Sequence, residues 1–170
     1  MADPAIDLEA IEVQRRRISD TYLAPAAERP PTSARGVHHV ALLSSDVERT
    51  VRFYQGVLGF PLTDIFENRD YRGSNHFFFD IGHGNLLAFF DFPEDPMPPT
   101  RESVGGMHHV SISVPRDQLD RIRGELDKRG IEYFGPDRVE NSLYFKGPDG
   151  ELLEIEADPL ETMEGKPLAQ

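Results

Sequence analysis

The sequence predicts an α+β fold of two paired β-α-β-β-β modules whose curved mixed sheets form a cup. Three observations carry this. Gly36-Val37-His38-His39-Val40-Ala41-Leu42 returns seventy residues later as Gly106-Met107-His108-His109-Val110-Ser111-Ile112. After each His-His pair the apolar residues alternate, the pattern of a half-buried strand whose side chains at i and i+2 share a face. Each strand then leads into a helical spacing of apolar residues and three further strand-like runs.

In chain order, residues 1–35 stand apart. Asp7 to Tyr22 predicts a helix with Leu8, Ile11, Ile18 and Tyr22 on one side and a solvated Arg15-Arg16-Arg17 face. Pro25, Pro30 and Pro31 then mark an extended linker, so this arm packs on the body or on a partner chain. Module one spans 37–92. Its strand 37–43 ends at Ser44-Ser45-Asp46, a helix N-cap signal, and Val47, Val51, Tyr54 and Leu58 recur at helical spacing. Strands follow near 62–67, 76–81 and 86–92. The Pro-rich linker 93–106 is unsuited to a central strand. Module two, 107–157, repeats the order: a strand at 107–114, a helix from Pro115 carrying Leu119, Ile122 and Leu126 and ending at Gly130, and strands near 131–135, 139–146 and 151–157. The domain thus runs 36–158, with a tail at 159–170.

Composition narrows the function classes. Thirty acidic against 18 basic residues give a net charge of −12, which disfavours nucleic acid and anionic membrane as partners. There is no cysteine, hence no disulfide framework or thiolate chemistry. No stretch approaches the ~18 apolar residues of a membrane span, and Met1-Ala2-Asp3-Pro4 does not read as a secretory signal. A cytoplasmic protein is expected.

Strand alternation decides which polar residues meet. With Val40 and Leu42 facing the helix, His39, Ala41 and Leu43 take the other face; with Val110 and Ile112 facing the helix, His109, Ser111 and Ser113 do the same. Aligning the modules sets Gly84-Asn85-Leu86-Leu87-Ala88-Phe89 on Gly150-Glu151-Leu152-Leu153-Glu154-Ile155, so Glu154 stands where module one has Ala88. His39, His109 and Glu154 therefore share the non-helix faces. Any one of them alone reads as an ordinary strand residue, but two imidazoles and a carboxylate with open positions suit a non-haem Fe(II) centre or another divalent ion. His38 and His108 are expected to point the other way. One divalent metal per site is expected, Fe(II) first, with Mn(II), Zn(II) or Ni(II) as alternatives.

The paired modules, the His-His-Val openings and Tyr144-Phe145-x-x-Pro148-Asp149-Gly150-x-x-x-Glu154 together resemble the vicinal oxygen chelate superfamily, which includes lactoylglutathione lyase, methylmalonyl-CoA epimerase, fosfomycin-resistance enzymes, extradiol dioxygenases and bleomycin-resistance proteins. The resemblance covers residues 36–158 and implies that His39, His109 and Glu154 are the metal ligands. The lyase and the epimerase usually add a fourth ligand where this chain has Ala88, so the resemblance points to three-ligand members. Fosfomycin-resistance enzymes usually carry a threonine where Ala41 stands, and no Arg or Lys cluster flanks Glu154 to hold a dianion. Tyr144 matches a tyrosine with which extradiol dioxygenases bind a substrate oxygen. The histidine of their longer signature is replaced by Gly135-Pro136-Asp137, and their acid–base histidine is absent from the end of module one.

Phe78, Ala88, Phe90, Phe92 and Ser111 line the expected cup as substrate contacts, with His76 on a neighbouring strand as a proton carrier. Such a pocket suits a small aromatic diol chelating the metal through adjacent oxygens, and an extradiol-type ring-cleaving dioxygenase is the first expectation. A glyoxalase- or epimerase-like lyase or isomerase is the alternative, with Glu156 or Glu67 as its base. A non-catalytic binder of a cationic aromatic drug is a third reading. A homodimer is expected, and the cup can form within one chain or across two.

Overall fold

In a computed structural model, residues 7–95, 97–135, 141–163 and 165–167 are described. Contacts divide the chain into two compact units, one holding the N-terminal helix and the other running Arg35–Pro167. In the first, α1 (Leu8–Tyr22) is capped by the Asp7 carboxylate accepting from Ala10 N–H at 2.9 Å. It buries none of its residues, leaving Leu8, Ile11, Ile18 and Tyr22 exposed.

The second unit realises the repeat. Module one comprises β1 (His39–Leu43), α2 (Val47–Phe53), β2 (Leu62–Glu67), β3 (Asn75–Asp80) and β4 (Leu86–Phe90), in sheet order β1-β4-β3-β2. Module two comprises β5 (Val110–Ser113), α3 (Arg116–Arg129), β6 (Tyr133–Phe134), β7 (Ser142–Lys146) and β8 (Leu152–Glu156), in order β5-β8-β7-β6. Each sheet joins its first and last strands in parallel and the others antiparallel. Both sheets remain open, with β1 and β5 at free edges. A short hairpin, β9 (Thr162–Met163) with β10 (Lys166–Pro167), occupies the expected tail. Residues 139 and 140 of the predicted strand 139–146 lie outside the described residues.

Local sequence explains the elements. Asp46 caps α2 by accepting from Arg49 N–H at 2.9 Å. The helix runs on into a π-helical turn, Tyr54–Leu58, closed by Gly59 at φ +81°, a left-handed conformation suited to glycine. Arg121 on α3 completes that end: its guanidinium donates to the carbonyls of Val57 at 3.1 Å and Leu58 at 2.6 Å.

One hydrophobic core unites both modules. Phe53, Tyr54, Phe77, Phe79, Leu87 and Phe89 of module one cluster with Ile112, Leu119, Ile122, Leu126, Leu143, Phe145, Leu153 and Ile155 of module two. These are the helix-side residues of each sheet. Burying both helix sides in one core turns the opposite faces, which carry the histidines, outward from it. A polar seam ties the halves together: buried Tyr54 donates its hydroxyl proton to Glu151 at 2.7 Å. Asp149 accepts from Ser45 Oγ at 2.5 Å and from Arg49 at 2.7 Å.

Candidate functional site

The outward face of the second sheet gathers most of the chemistry. Register places Ser111, Glu154 and Tyr144 side by side across β5, β8 and β7. His109, one residue before β5, brings Nε2 to 3.1 Å from Glu154 Oε2. Glu154 is 7% exposed, and its approach to a ring nitrogen is what burial of a carboxylate requires. The Tyr144 ring meets the His109 ring edge-on at 5.8 Å and is itself stacked on Phe134 at 5.2 Å. Burial, then the hydrogen bond to Glu154, pushes the Tyr144 phenol well above its ordinary range, so it stays protonated and able to donate at neutral pH. Glu156, next on this face, is raised by burial and then by Glu154 and Asp158. It takes a long hydrogen bond, 3.4 Å, from Ser111 Oγ.

The outward face of the first sheet is aromatic. His39, Ala41 and Leu43 on β1 oppose Leu86, Ala88 and Phe90 on β4, and Phe78 lies beyond Ala88 on β3. His76 stacks on Phe90 at 3.8 Å and contacts Phe78 at 4.2 Å and Phe66 at 5.3 Å. Its Nε2 has no hydrogen-bond partner among the described residues. Burial first, then the neighbouring His39, lowers the pKa of His76 and favours the neutral ring. Phe92 extends the wall by stacking with Phe90 at 6.3 Å. The alternate phenylalanines, Phe77, Phe79 and Phe89, go to the core, as the two-residue period requires.

The structure thus joins His109 to Glu154 and leaves His39 elsewhere. His39 contacts His38 and Phe78, and among the described residues of one chain no group of three or more His, Asp or Glu is placed to hold a metal ion. The reason is the shared core, which sends the two ligand-bearing faces outward. The donor chemistry nevertheless suits a divalent ion, since an imidazole Nε2 and a carboxylate oxygen converge, with Tyr144 beside them.

Two features escaped the sequence reading. His38 and His108, expected to point away, bring Nδ1 to 2.8 and 2.6 Å from Nδ1 of His39 and His109. Both precede the strands proper, where alternation does not yet hold. A cavity of about 750 Å³ lies at the Leu43 end of β1, lined by Ala41, Leu43, Phe92, Met107 and Asp149 among others, and none of the three expected ligands borders it. Its walls come from β1 and both Pro-rich linker ends, a juxtaposition that no local pattern announces.

Residues 36–155 match the family described as the Glyoxalase/Bleomycin resistance protein/Dioxygenase superfamily. The chain is 30% identical over 127 residues to the uncharacterized protein YwkD of Bacillus subtilis, covering 65% of this chain and 96% of that one. It is 28% identical over 124 residues to catechol-2,3-dioxygenase of Bacillus subtilis, covering 72% of this chain and 41% of the relative. In fold it is similar to fosfomycin resistance protein FosX from Listeria monocytogenes, complexed as a mutant with Mn(II) and 1S,2S-dihydroxypropylphosphonic acid. The TM-score is 0.59 at 20% identity, over 75% of this chain and 96% of FosX.

Proposed function

Because this chain belongs to the Glyoxalase/Bleomycin resistance protein/Dioxygenase superfamily, we propose that it is a divalent-metal-dependent enzyme, an extradiol-type ring-cleaving dioxygenase of a small aromatic diol. The observation that carries the reading is the 3.1 Å approach of His109 Nε2 to buried Glu154, with His39 at the equivalent place in the twin module. Similarity to catechol-2,3-dioxygenase supports the reaction class. The helix-side core supports a site built by two copies, in which His39 of one chain joins His109 and Glu154 of another.

His39, His109 and Glu154 would hold the metal, Fe(II) in this reading. Held there, such an ion would supply Lewis-acid activation of a chelating diol and a redox partner for O2. The rest is the work of the chain. Tyr144, protonated at neutral pH, would turn its one donor from Glu154 to a substrate oxygen beside that carboxylate. Neutral His76, with Nε2 unpartnered, accepts a hydroxyl proton from the substrate at that nitrogen. Phe78, Phe90 and Phe92 flank the ring plane and exclude water, Ala88 leaves room where a longer side chain would intrude, and Ser111 contacts the substrate edge.

The test is anaerobic reconstitution with Fe(II), elemental analysis, and oxygen uptake with a panel of catechols. About one metal per chain and uptake with at least one catechol are expected, and His109→Ala abolishes both. Metal without uptake turns the reading to a lyase or isomerase of the same site. Absence of any metal leaves a binding protein.

A further inference from the structure

On the second sheet the face that bears Glu154 carries a second carboxylate. Glu156 is two residues further along β8, so it projects from the same side about 7 Å away. Register sets it between Ser113 and Ser142. Ser113 is committed, its Oγ donating to the Asp158 carbonyl at 2.6 Å. Ser142 is not: its hydroxyl is wholly buried and has no hydrogen-bond partner among the described residues. A buried hydroxyl without a partner is uncommon and calls for a group to satisfy it. The Glu156 carboxylate is likewise under-used, its one hydrogen bond among the described residues being the long contact from Ser111.

The charge pattern selects the missing group. Lys146 is the one cationic residue on this face of β5, β7 and β8, and it stands opposite Leu152, two same-face positions from Ser142. The corresponding face of the first sheet adds Asp64 and Asp80 and no lysine or arginine. A metal ion balances Glu154 but leaves Glu156 as an unpaired anion beside an unpartnered hydroxyl. An ammonium presents several donors and a positive charge, which this pair can accept; a carboxylate or phosphate presents the wrong sign and no donors.

We propose that Glu156 and Ser142, aided by Ser111, form a specificity subsite for a protonated amine on the substrate, so that the substrate class is an amine-bearing aromatic diol. This rests on the chelating site proposed above. The 7 Å step from Glu154 to Glu156 is on the order of an aromatic ring with a short side chain.

The test compares ligands that differ only in the charge of their tail. Binding of dopamine and dihydroxyphenylacetate to the Fe(II)-loaded protein is measured anaerobically by calorimetry, beside the non-chelating pair phenethylamine and phenylacetate. Dopamine is expected to bind at least about tenfold more tightly than dihydroxyphenylacetate, as a single charge-assisted contact allows. In Glu156→Gln the preference falls to within about threefold of unity, and in Ser142→Ala it falls partway. If no catechol binds, the ring-cleavage reading fails, while a phenethylamine preference lost in Glu156→Gln still supports the subsite. Equal binding of amine and acid in both pairs, or a preference that survives Glu156→Gln, overturns it.

Discussion

Tyr54→Phe removes one hydroxyl from the seam between the modules and leaves the ring in place. Tyr54 is fully buried and donates to Glu151 at 2.7 Å, and Glu151 is 5% exposed. Asp149 N–H also donates to that carboxylate, at 2.9 Å. Losing a hydrogen bond to a buried ionised group costs about 1.5–3 kcal/mol. For a protein of this size that lowers the melting temperature by roughly 4–10 °C. The cost depends on pH. Burial raises the Glu151 pKa, and the Tyr54 hydrogen bond is the foremost influence lowering it. A carboxyl raised on folding contributes most below its unfolded pKa and loses that contribution as pH climbs through its folded value. Without Tyr54 the folded value moves higher still, so the variant loses more stability at pH 8 than at pH 5. Urea unfolding at both pH values checks this. A cost below about 0.5 kcal/mol, or one equal at the two pH values, refutes the reasoning.

Gly147→Ala strikes the same carboxylate from another side, since a Cβ there would lie 2.1 Å from Glu151 Oε1 and 2.4 Å from its Cδ. With Glu151 pinned by Tyr54, the strain is expected to cost about 1–3 kcal/mol in urea unfolding. Leu126→Ala, at a position with no exposure in the common core, should cost about 2–5 kcal/mol by the same assay. Arg49→Ala breaks the 2.7 Å ion pair with Asp149, whose side chains are 50% and 20% exposed. Solvent screening holds that loss to about 1 kcal/mol or less, shrinking further when melting is repeated in high salt.

The repeat made the architecture legible, because two identical patterns of alternation and helical spacing can only build the same sheet twice. The faces followed from a period of two: Phe77 and Phe79 go inward, while His76 and Phe78 stay on the other side. What alternation cannot supply is the relation between the two sheets. Whether His39 meets His109 within one chain depends on which faces the modules bury against each other, and the helix-side core of Phe77, Leu87, Leu143 and Ile155 settles that through long-range packing. The Tyr54–Glu151 pair was invisible for the same reason, its partners being 97 residues apart. Helix register foretold that Tyr54 would point inward, yet its hydroxyl partner, Glu151, follows the Pro148-Asp149-Gly150 turn and reads in sequence only as the start of a strand.

The most direct test of a shared metal site mixes two defective proteins. His39→Ala keeps His109 and Glu154, and His109→Ala keeps His39, so each alone should hold no metal. If the site spans two copies, unfolding and refolding the two variants together creates mixed dimers with one intact site each. Random pairing then restores about a quarter of the native metal content. Metal that stays absent from the mixture, while native protein taken through the same refolding binds it fully, would contradict a site shared between chains.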